Sequence, residues 1–427
     1  MLKKTIALAD QGLVSATNFA MGVVIGRVCG KAELGAYALA WTLMTLATET
    51  SATLTMTPYT VFGPQLSRDQ RTAYLGSIVV HQLLLSAAFA LVMVVGAVLG
   101  SWQWLLPHSL SSVIETMGWA IMFIGLREFA RRVSFAELKV GLAFLIDLIV
   151  CLGQVGGVLL LLHFGALTAS RTYAVAGISS ALVAGGWLAF HWEIFQFKAK
   201  LCERDFKRNW RFAKWVLGSW IVAALGIYLY PWLLAVFHGT AATGIWAACC
   251  AVVALGNPVV LGLSNHIGPQ IHNVYAAEGT EQMRRCVSRS SLLFAALLSP
   301  VVLVLAGGGG LIVTLVYGKV YAGSSSIVTL LALNMLMSAL TYPYSRGLFS
   351  LECAKADMLV NFIAVALLFV VGIAAVKYYG ALGAAAALFA SSAITTLIRI
   401  GVFAREVRQR ALQGPSDAPR FALEYND

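Results

Sequence analysis

Twelve long apolar stretches constrain the fold of this chain more than any other feature. Each is about as long as a helix needs to cross the roughly 30 Å hydrocarbon core of a bilayer, and a helix satisfies its own backbone hydrogen bonds there. A composition of 59% hydrophobic and 11% charged residues excludes an ordinary water-soluble surface. The sequence therefore predicts an all-α, polytopic membrane protein with about twelve transmembrane helices. The stretches cover residues 5 to 28, 34 to 57, 74 to 100, 110 to 130, 139 to 163, 168 to 190, 214 to 236, 243 to 265, 287 to 316, 325 to 350, 356 to 377 and 381 to 404.

The distribution of basic residues predicts the orientation in the membrane. If the N-terminus is cytoplasmic, the outer side holds only five of the 30 Lys and Arg residues, and the positive-inside rule favours that arrangement. Both termini are then cytoplasmic. The net charge of +11 is mostly an orientation signal with a contribution from anionic lipids, so nucleic-acid binding is not expected. The five outer residues are Arg27, Lys31, Arg171, Lys319 and Lys377.

A short motif recurs half a chain later and predicts an internal repeat. Residues 30 to 38 read G-x-A-x-x-G-x-Y-A, and residues 239 to 247 read the same with Trp in place of Tyr, a shift of 209 residues. Gly-Pro-Gln recurs from Gly63 at Gly268, and Asp147 aligns with Asn361. Because each half holds an even number of apolar stretches, six, both halves begin on the same side of the membrane, and the two six-helix repeats are expected to be parallel. The predicted organisation is an N-terminal six-helix lobe (1–191), a cytoplasmic basic linker (192–213), a C-terminal six-helix lobe (214–405) and a cytoplasmic tail (406–427).

Polar side chains inside the apolar stretches mark candidate functional positions. Gln11 and Asn18 fall on one helical face of the first stretch, and Glu49 falls on a Thr-rich face of the second. Such polar faces either pack against neighbouring helices or line a water-filled cleft, and the sequence is compatible with both interpretations. An ionised carboxylate in a membrane helix is costly, so Glu49 and Asp147 are candidates for ion coupling or gating. For Asp147, a structural pairing with Arg131 or Arg132 is the alternative.

Other site chemistries have no sequence signature here. The seven cysteines show neither metal-ligand spacing nor a disulfide framework, so no metal and no cofactor are expected. The chain has no nucleotide-binding loop, and its outer loops are too short for a catalytic domain. We therefore expect a protein that is not an enzyme. A scaffolding membrane protein would leave the intramembrane charges unexplained.

Three passages resemble a known family. Residues 9 to 19 with 25 to 27 and 30 to 38, residues 127 to 136 followed by Asp147, and residues 315 to 323 are similar to signatures of the polysaccharide transporters, the O-antigen and exopolysaccharide flippases. These flippases belong to the multidrug/oligosaccharidyl-lipid/polysaccharide exporter superfamily. The likeness spans nearly the whole chain.

The resemblance implies a twelve-helix, two-lobed transporter with a central cavity. Such a transporter moves undecaprenyl-diphosphate-linked oligosaccharides across the cell inner membrane by alternating access, for lipopolysaccharide or exopolysaccharide synthesis. Arg27 in the Ile-Gly-Arg stretch is then a candidate ligand of the diphosphate, with Arg171 as a second. Guanidinium groups suit phosphate because they donate two parallel hydrogen bonds. The expected partners are the lipid-linked oligosaccharide, membrane lipids and a polysaccharide polymerase or co-polymerase. The alternatives are a drug or small-metabolite exporter of the same superfamily and, less favoured, a polyprenol-linked sugar polymerase.

Overall fold

Residues 2–102, 108–192 and 199–413 are described by a computed structural model. These residues form helices joined by short turns, with no strand among them. Three continuous helical stretches, Ala199–Val253, Asn257–Tyr317 and Ile373–Gln413, are interrupted at Gly239, Gly279 and Gly380, where we divide them. The helices are α1 Leu2–Val28, α2 Lys31–Phe62, α3 Arg68–Trp102, α4 His108–Ala136, α5 Val140–His163, α6 Ala169–Phe190, α7 199–238, α8 240–278, α9 280–317, α10 Ser325–Ser350, α11 354–379 and α12 381–413.

The predicted fold class is confirmed, because the described residues form twelve helices in the order of the twelve apolar stretches. In the part of the chain that the structure describes, eight helical stretches are long and apolar enough to cross a membrane, and the longest, Ala224–Tyr317, can hold more than one crossing. The chain is therefore a multi-pass membrane protein. Several helices extend beyond the apolar stretches; α8, for example, continues to residue 278 instead of ending near 265. Hydrophobicity does not reveal such extensions because their exposed faces are polar.

Two glycines show the internal repeat in the backbone. Gly30 precedes α2 with φ 86° and ψ −177°, and Gly239 precedes α8 with φ 79° and ψ 174°. A positive φ with ψ near 180° is a conformation that essentially only glycine adopts, so both turns require glycine. The recurring motif of the sequence thus corresponds to a recurring turn.

The turns after α4 and α10 repeat each other as well. Leu138 and Glu352, 214 residues apart, have φ values of 59° and 57° although neither is glycine. The N–H of Lys139 donates to the carbonyl oxygen of Ser134 at 2.8 Å, and the N–H of Cys353 donates to that of Leu348 at 2.9 Å. These bonds satisfy carbonyl groups at the helix ends in the same way in both halves.

The chain divides into two compact units. The first comprises Met1–Ala235 with Gly239–Gly244, and the second comprises Val236–His238 with Ile245–Asp427. In the first unit, buried side chains from α2 to α6, including Tyr59, Ile78 and Phe129, form an apolar core. In the second, buried apolar side chains come from α8 to α12. The predicted lobe, linker and tail boundaries stay a prediction, with α7 starting at Ala199.

Candidate functional site

A polar cavity of about 310 Å³ lies inside the first unit, among α1, α2, α4, α5 and α6. Its lining combines ionisable side chains with amides, hydroxyls and a few apolar groups. The ionisable and amide side chains that line it are Gln11, Asn18, Glu49, Arg127, Glu128, Arg131, Arg132, Asp147 and Gln154. The cavity therefore offers hydrogen-bonding and charged side chains to a polar or charged ligand within a membrane protein.

Four charged residues of α4 supply the centre of this site. Arg127 and Arg131 are four residues apart, as are Glu128 and Arg132, so each pair lies on one helical face. The carboxylate of Glu128 accepts hydrogen bonds from Arg127 Nη1 at 3.0 Å and from Arg132 Nε at 3.0 Å. Glu128 thereby holds neighbouring guanidinium groups in place along α4.

Arg131 joins three helices through one guanidinium group. Its Nε donates to Asp147 Oδ2 on α5, its Nη2 to Asp10 Oδ2 on α1 at 3.1 Å, and its Nη1 to Glu128 Oε1 at 3.3 Å. Arg127 Nη1 also donates to Asp147 Oδ1 at 3.3 Å. Asp10 and Asp147 are each only 1% exposed, so their charges depend on these arginines.

Arg132 connects the site to α2. Its Nη2 binds Glu49 Oε1, and the side chains of Arg132 and Glu49 are 28% and 36% exposed. This pair is therefore the more accessible part of the network, while the Arg131 pairs are more deeply buried. An anion entering the cavity could compete with Glu49 for Arg132, and a cation could compete with Arg132 for Glu49.

The network combines four carboxylates with three guanidinium groups, so its formal charge is −1 when all groups are ionised. Two of its buried polar atoms, Asp10 Oδ1 and Arg127 Nε, have no hydrogen-bond partner among the described residues. A near-neutral network with unused hydrogen-bonding capacity can accept a proton, a cation or an anionic group without burying a large excess of charge.

Four of the six predicted site residues line this cavity: Gln11, Asn18, Glu49 and Asp147. Arg27 and Arg171 do not. Arg27 is exposed near the end of α1, and Arg171 is exposed at the start of α6, where its Nη1 donates to the carbonyl oxygen of Ala166 at 2.7 Å. The four cavity residues and the two predicted arginines therefore lie in different places, and the roles of all six residues stay predictions.

The sequence-based interpretation did not assign five residues of the network to the site: Asp10, Arg127, Glu128, Arg131 and Arg132. The positive-inside pattern accounts for these arginines by topology alone, and the sequence predicts Arg131 and Arg132 only as alternative partners of Asp147. In the structure, Asp147 forms ion pairs with Arg131 and Arg127, and Arg132 forms an ion pair with Glu49. The available signal is Glu128, which lies three and four residues before Arg131 and Arg132, because purely topological arginines need no carboxylate on the same helix face.

Comparison with known proteins gives a fold and no family assignment. No protein-family model and no curated protein matches the sequence. Among solved structures, an inward-facing multidrug resistance MATE family transporter of the MOP superfamily matches with a TM-score of 0.70 at 12% identity, covering 95% of this chain and 96% of that one. The lipid II flippase MurJ in an inward closed conformation matches with a TM-score of 0.68 at 12% identity, covering 99% of this chain and 95% of that one.

A MOP superfamily transporter from Pyrococcus furiosus, described as having a binding pocket of reverse polarity, matches with a TM-score of 0.61 at 10% identity and covers 95% of this chain and 94% of that one. These identities are low, and what they show is the architecture. The chain has the fold of MOP superfamily transporters.

Proposed function

We propose that this protein is a flippase that translocates undecaprenyl-diphosphate-linked oligosaccharides across the cytoplasmic membrane by alternating access, with both termini in the cytoplasm. The pathway it serves is synthesis of a polysaccharide such as O-antigen or exopolysaccharide. The observation that carries the proposal is the group of three arginines, Arg127, Arg131 and Arg132, on the wall of a cavity within a membrane protein.

The physical need for such a site comes from the substrate. Each polar group moved into hydrocarbon without a partner costs about 2 to 7 kcal/mol, and a diphosphate with several sugars carries many such groups. Guanidinium groups can bind the diphosphate, while amides such as Gln11 and Asn18 can bind sugar hydroxyls. The lipid tail can stay in the bilayer. The fold shared with the lipid II flippase MurJ is compatible with this class of substrate.

Arg132 is the arginine best suited to the first contact. Its partner Glu49 is 36% exposed, so an incoming diphosphate can displace that carboxylate at a smaller cost than either buried aspartate. Glu49, once released, is free to bind a proton or a cation. Substrate binding at Arg132 would then be linked to ion binding at Glu49, the coupling role that the sequence predicts for this carboxylate.

A second function, export of a cationic drug or metabolite, is favoured by a different observation. The network holds one carboxylate more than it holds guanidinium groups, which suits a positively charged ligand. The fold is also that of a multidrug resistance MATE transporter. In this case Glu49 would bind the ligand directly, and Arg132 would only position Glu49.

Flipping in proteoliposomes distinguishes the two functions. A fluorescent undecaprenyl-diphosphate oligosaccharide is reconstituted with the protein, and dithionite is added outside to quench the label on the outer leaflet. Wild-type protein should make the inner-leaflet label accessible. Arg132→Ala should slow this by about tenfold or more, since hydrogen bonds to charged groups contribute about 1.5 to 3 kcal/mol each.

The matched control is Arg405→Ala, which removes an exposed arginine of α12 in the second unit and should leave flipping unchanged. No flipping of the lipid by wild-type protein, together with uptake of a fluorescent organic cation that depends on Glu49, would reject the flippase and favour the exporter. Equal loss in both arginine variants would show that the cavity arginines have no special role.

A further inference from the structure

The beginning of α7, residues 199–214, has a basic stripe that the proposed transport cycle does not use. Its exposed cations recur at spacings of four and three residues, which places them on a single face of a helix with 3.6 residues per turn. The exposed carboxylate among them is Glu203, whose Oε1 lies 2.6 Å from Lys207 Nζ. The stripe thus carries an excess of positive charge. Its members are Lys200, Arg204, Lys207, Arg211 and Lys214.

The opposite face of this segment packs against α3. Asn209 is buried and its Oδ1 accepts a hydrogen bond from the hydroxyl of Tyr74 at 2.7 Å, while His81 Nε2 lies 3.0 Å from the carbonyl oxygen of Cys202. Tyr74 and His81 both belong to α3, one of the helices long and apolar enough to cross a membrane. One face of residues 199–214 therefore packs against the membrane-spanning helix α3, and the basic stripe lies on the face that points away from α3.

Aromatic side chains flank the stripe. Phe206 and Trp210 are each 46% exposed on one side, and Trp215 is 75% exposed on the other. Aromatic rings beside lysines and arginines are typical of helices at the boundary between headgroups and acyl chains. An exposed aromatic flank would be a liability in water, and a bilayer surface would cover it.

We infer that the exposed face of residues 199–214 binds the headgroups of anionic phospholipids and fixes this segment to the membrane surface. Charge complementarity selects the partner: five cations on one face match a negatively charged leaflet, which attracts basic segments more strongly with each added Lys or Arg. The exposed rings of Phe206, Trp210 and Trp215 favour a bilayer over a partner held by charge alone, which would leave these rings in water.

Hydrogen exchange in nanodiscs tests the inference. Amides of residues 200–214 in wild-type protein should exchange more slowly in phosphatidylglycerol-containing discs than in phosphatidylcholine discs, and added salt should weaken the difference. Arg211→Gln/Lys214→Gln should reduce this lipid-dependent protection by about 25-fold, which corresponds to about fivefold for each cation removed. This variant leaves the Lys207–Glu203 pair and the contacts with Tyr74 and His81 intact.

The matched control is Arg405→Gln/Arg408→Gln, which removes two exposed cations from α12 and should keep the protection of residues 200–214. Unchanged thermal unfolding of both variants would show that they fold. The inference is wrong if phosphatidylglycerol does not slow exchange in the wild type, if both variants lose protection equally, or if soluble pyrophosphate protects the segment as well in phosphatidylcholine discs. The last result would identify a small-anion site instead of a lipid surface.

Discussion

Gly35 and Gly244 bring the first turns of α2 and α8 into direct backbone contact. A β-carbon on Gly35 would lie 1.8 Å from the carbonyl oxygen of Thr240, and one on Gly244 would lie 1.9 Å from that of Lys31. The contact is reciprocal, because both glycines and both carbonyl groups are related by the same shift of 209 residues. All four residues belong to the first compact unit.

This contact predicts that alanine at either glycine destabilises the protein. A methyl group cannot fit at these distances from backbone atoms, so the two helices must move apart, and overpacking of this kind costs about 1 to 3 kcal/mol. Gly35→Ala and Gly244→Ala should each lower the midpoint of thermal unfolding in detergent by several degrees. Gly96→Ala, at a position with open space around it, is the control and should not lower the midpoint. Equal midpoints for all three variants would contradict the packing seen here.

The sequence contained the repeat but not this contact. The recurring motif predicts an internal repeat, and the backbone angles of Gly30 and Gly239 explain why its first glycine recurs. The second glycine of each motif, Gly35 or Gly244, is required because the backbone of the other motif packs directly against it. A pattern along one segment carries no information about which segment packs against it, so the reason for Gly35 and Gly244 emerged only from the structure.

The positions of Asp147 and Asn361 show the same limit at the candidate site. Both side chains bind an arginine, but Asp147 is bound by arginines of α4, whereas Asn361 Oδ1 accepts a hydrogen bond from Arg399 Nη2 of α12 at 2.8 Å. The alignment of Asp147 with Asn361 indicates that a hydrogen-bonding side chain suffices at this position of the repeat. It could not predict the partner, since the arginine comes from non-equivalent helices.

The Arg399 cluster in the second unit yields a stability prediction. Arg399 is 6% exposed, and its Nε donates to Asp357 Oδ1 at 2.7 Å. Removing one member of a buried ion pair leaves the other charge without compensation and costs about 3 to 5 kcal/mol, whereas replacing both with apolar groups can be neutral. Arg399→Met should therefore lower the thermal unfolding midpoint strongly, and Arg399→Met/Asp357→Leu should recover most of the loss.

A control for this comparison is Asp357→Leu alone, which should be as damaging as Arg399→Met because it leaves the guanidinium group unbalanced. If the double variant is as unstable as the sum of the single variants, Arg399 and Asp357 do not act as a pair, and the interpretation fails.

Arg27 provides a test of substrate contact outside the cavity described above. The resemblance predicts that Arg27 binds the diphosphate, although this exposed residue does not line the cavity of the first unit. If it binds the diphosphate through two parallel hydrogen bonds, Arg27→Lys should slow lipid flipping and Arg27→Ala should nearly abolish it. If it anchors α1 at the membrane interface, Lys should be fully tolerated. Arg171→Ala is a useful comparison, because Arg171 is the second candidate ligand of the diphosphate and also lies outside the cavity.

The orientation of the protein can be tested at Cys29, in the turn between α1 and α2. Burial and, to a lesser extent, the carboxylate of Glu33 raise the pKa of the Cys29 thiol, whose Sγ lies 3.3 Å from the carbonyl oxygen of Leu167. The reactive form is the thiolate. A membrane-impermeant maleimide should therefore label Cys29 from outside slowly near neutral pH, and the rate should rise about tenfold per pH unit below the thiol pKa.

Two variants make this experiment specific. Cys29→Ser should remove the signal from intact spheroplasts, which shows that the other cysteines do not contribute. Glu33→Gln should speed labelling near neutral pH, since it removes the negative charge that disfavours the thiolate, whereas Glu115→Gln at an exposed site on α4 should not. Cys202, in the predicted cytoplasmic part of α7, should be labelled only after permeabilisation. Labelling of Cys202 in intact spheroplasts, with Cys29 protected until permeabilisation, would reverse the predicted orientation.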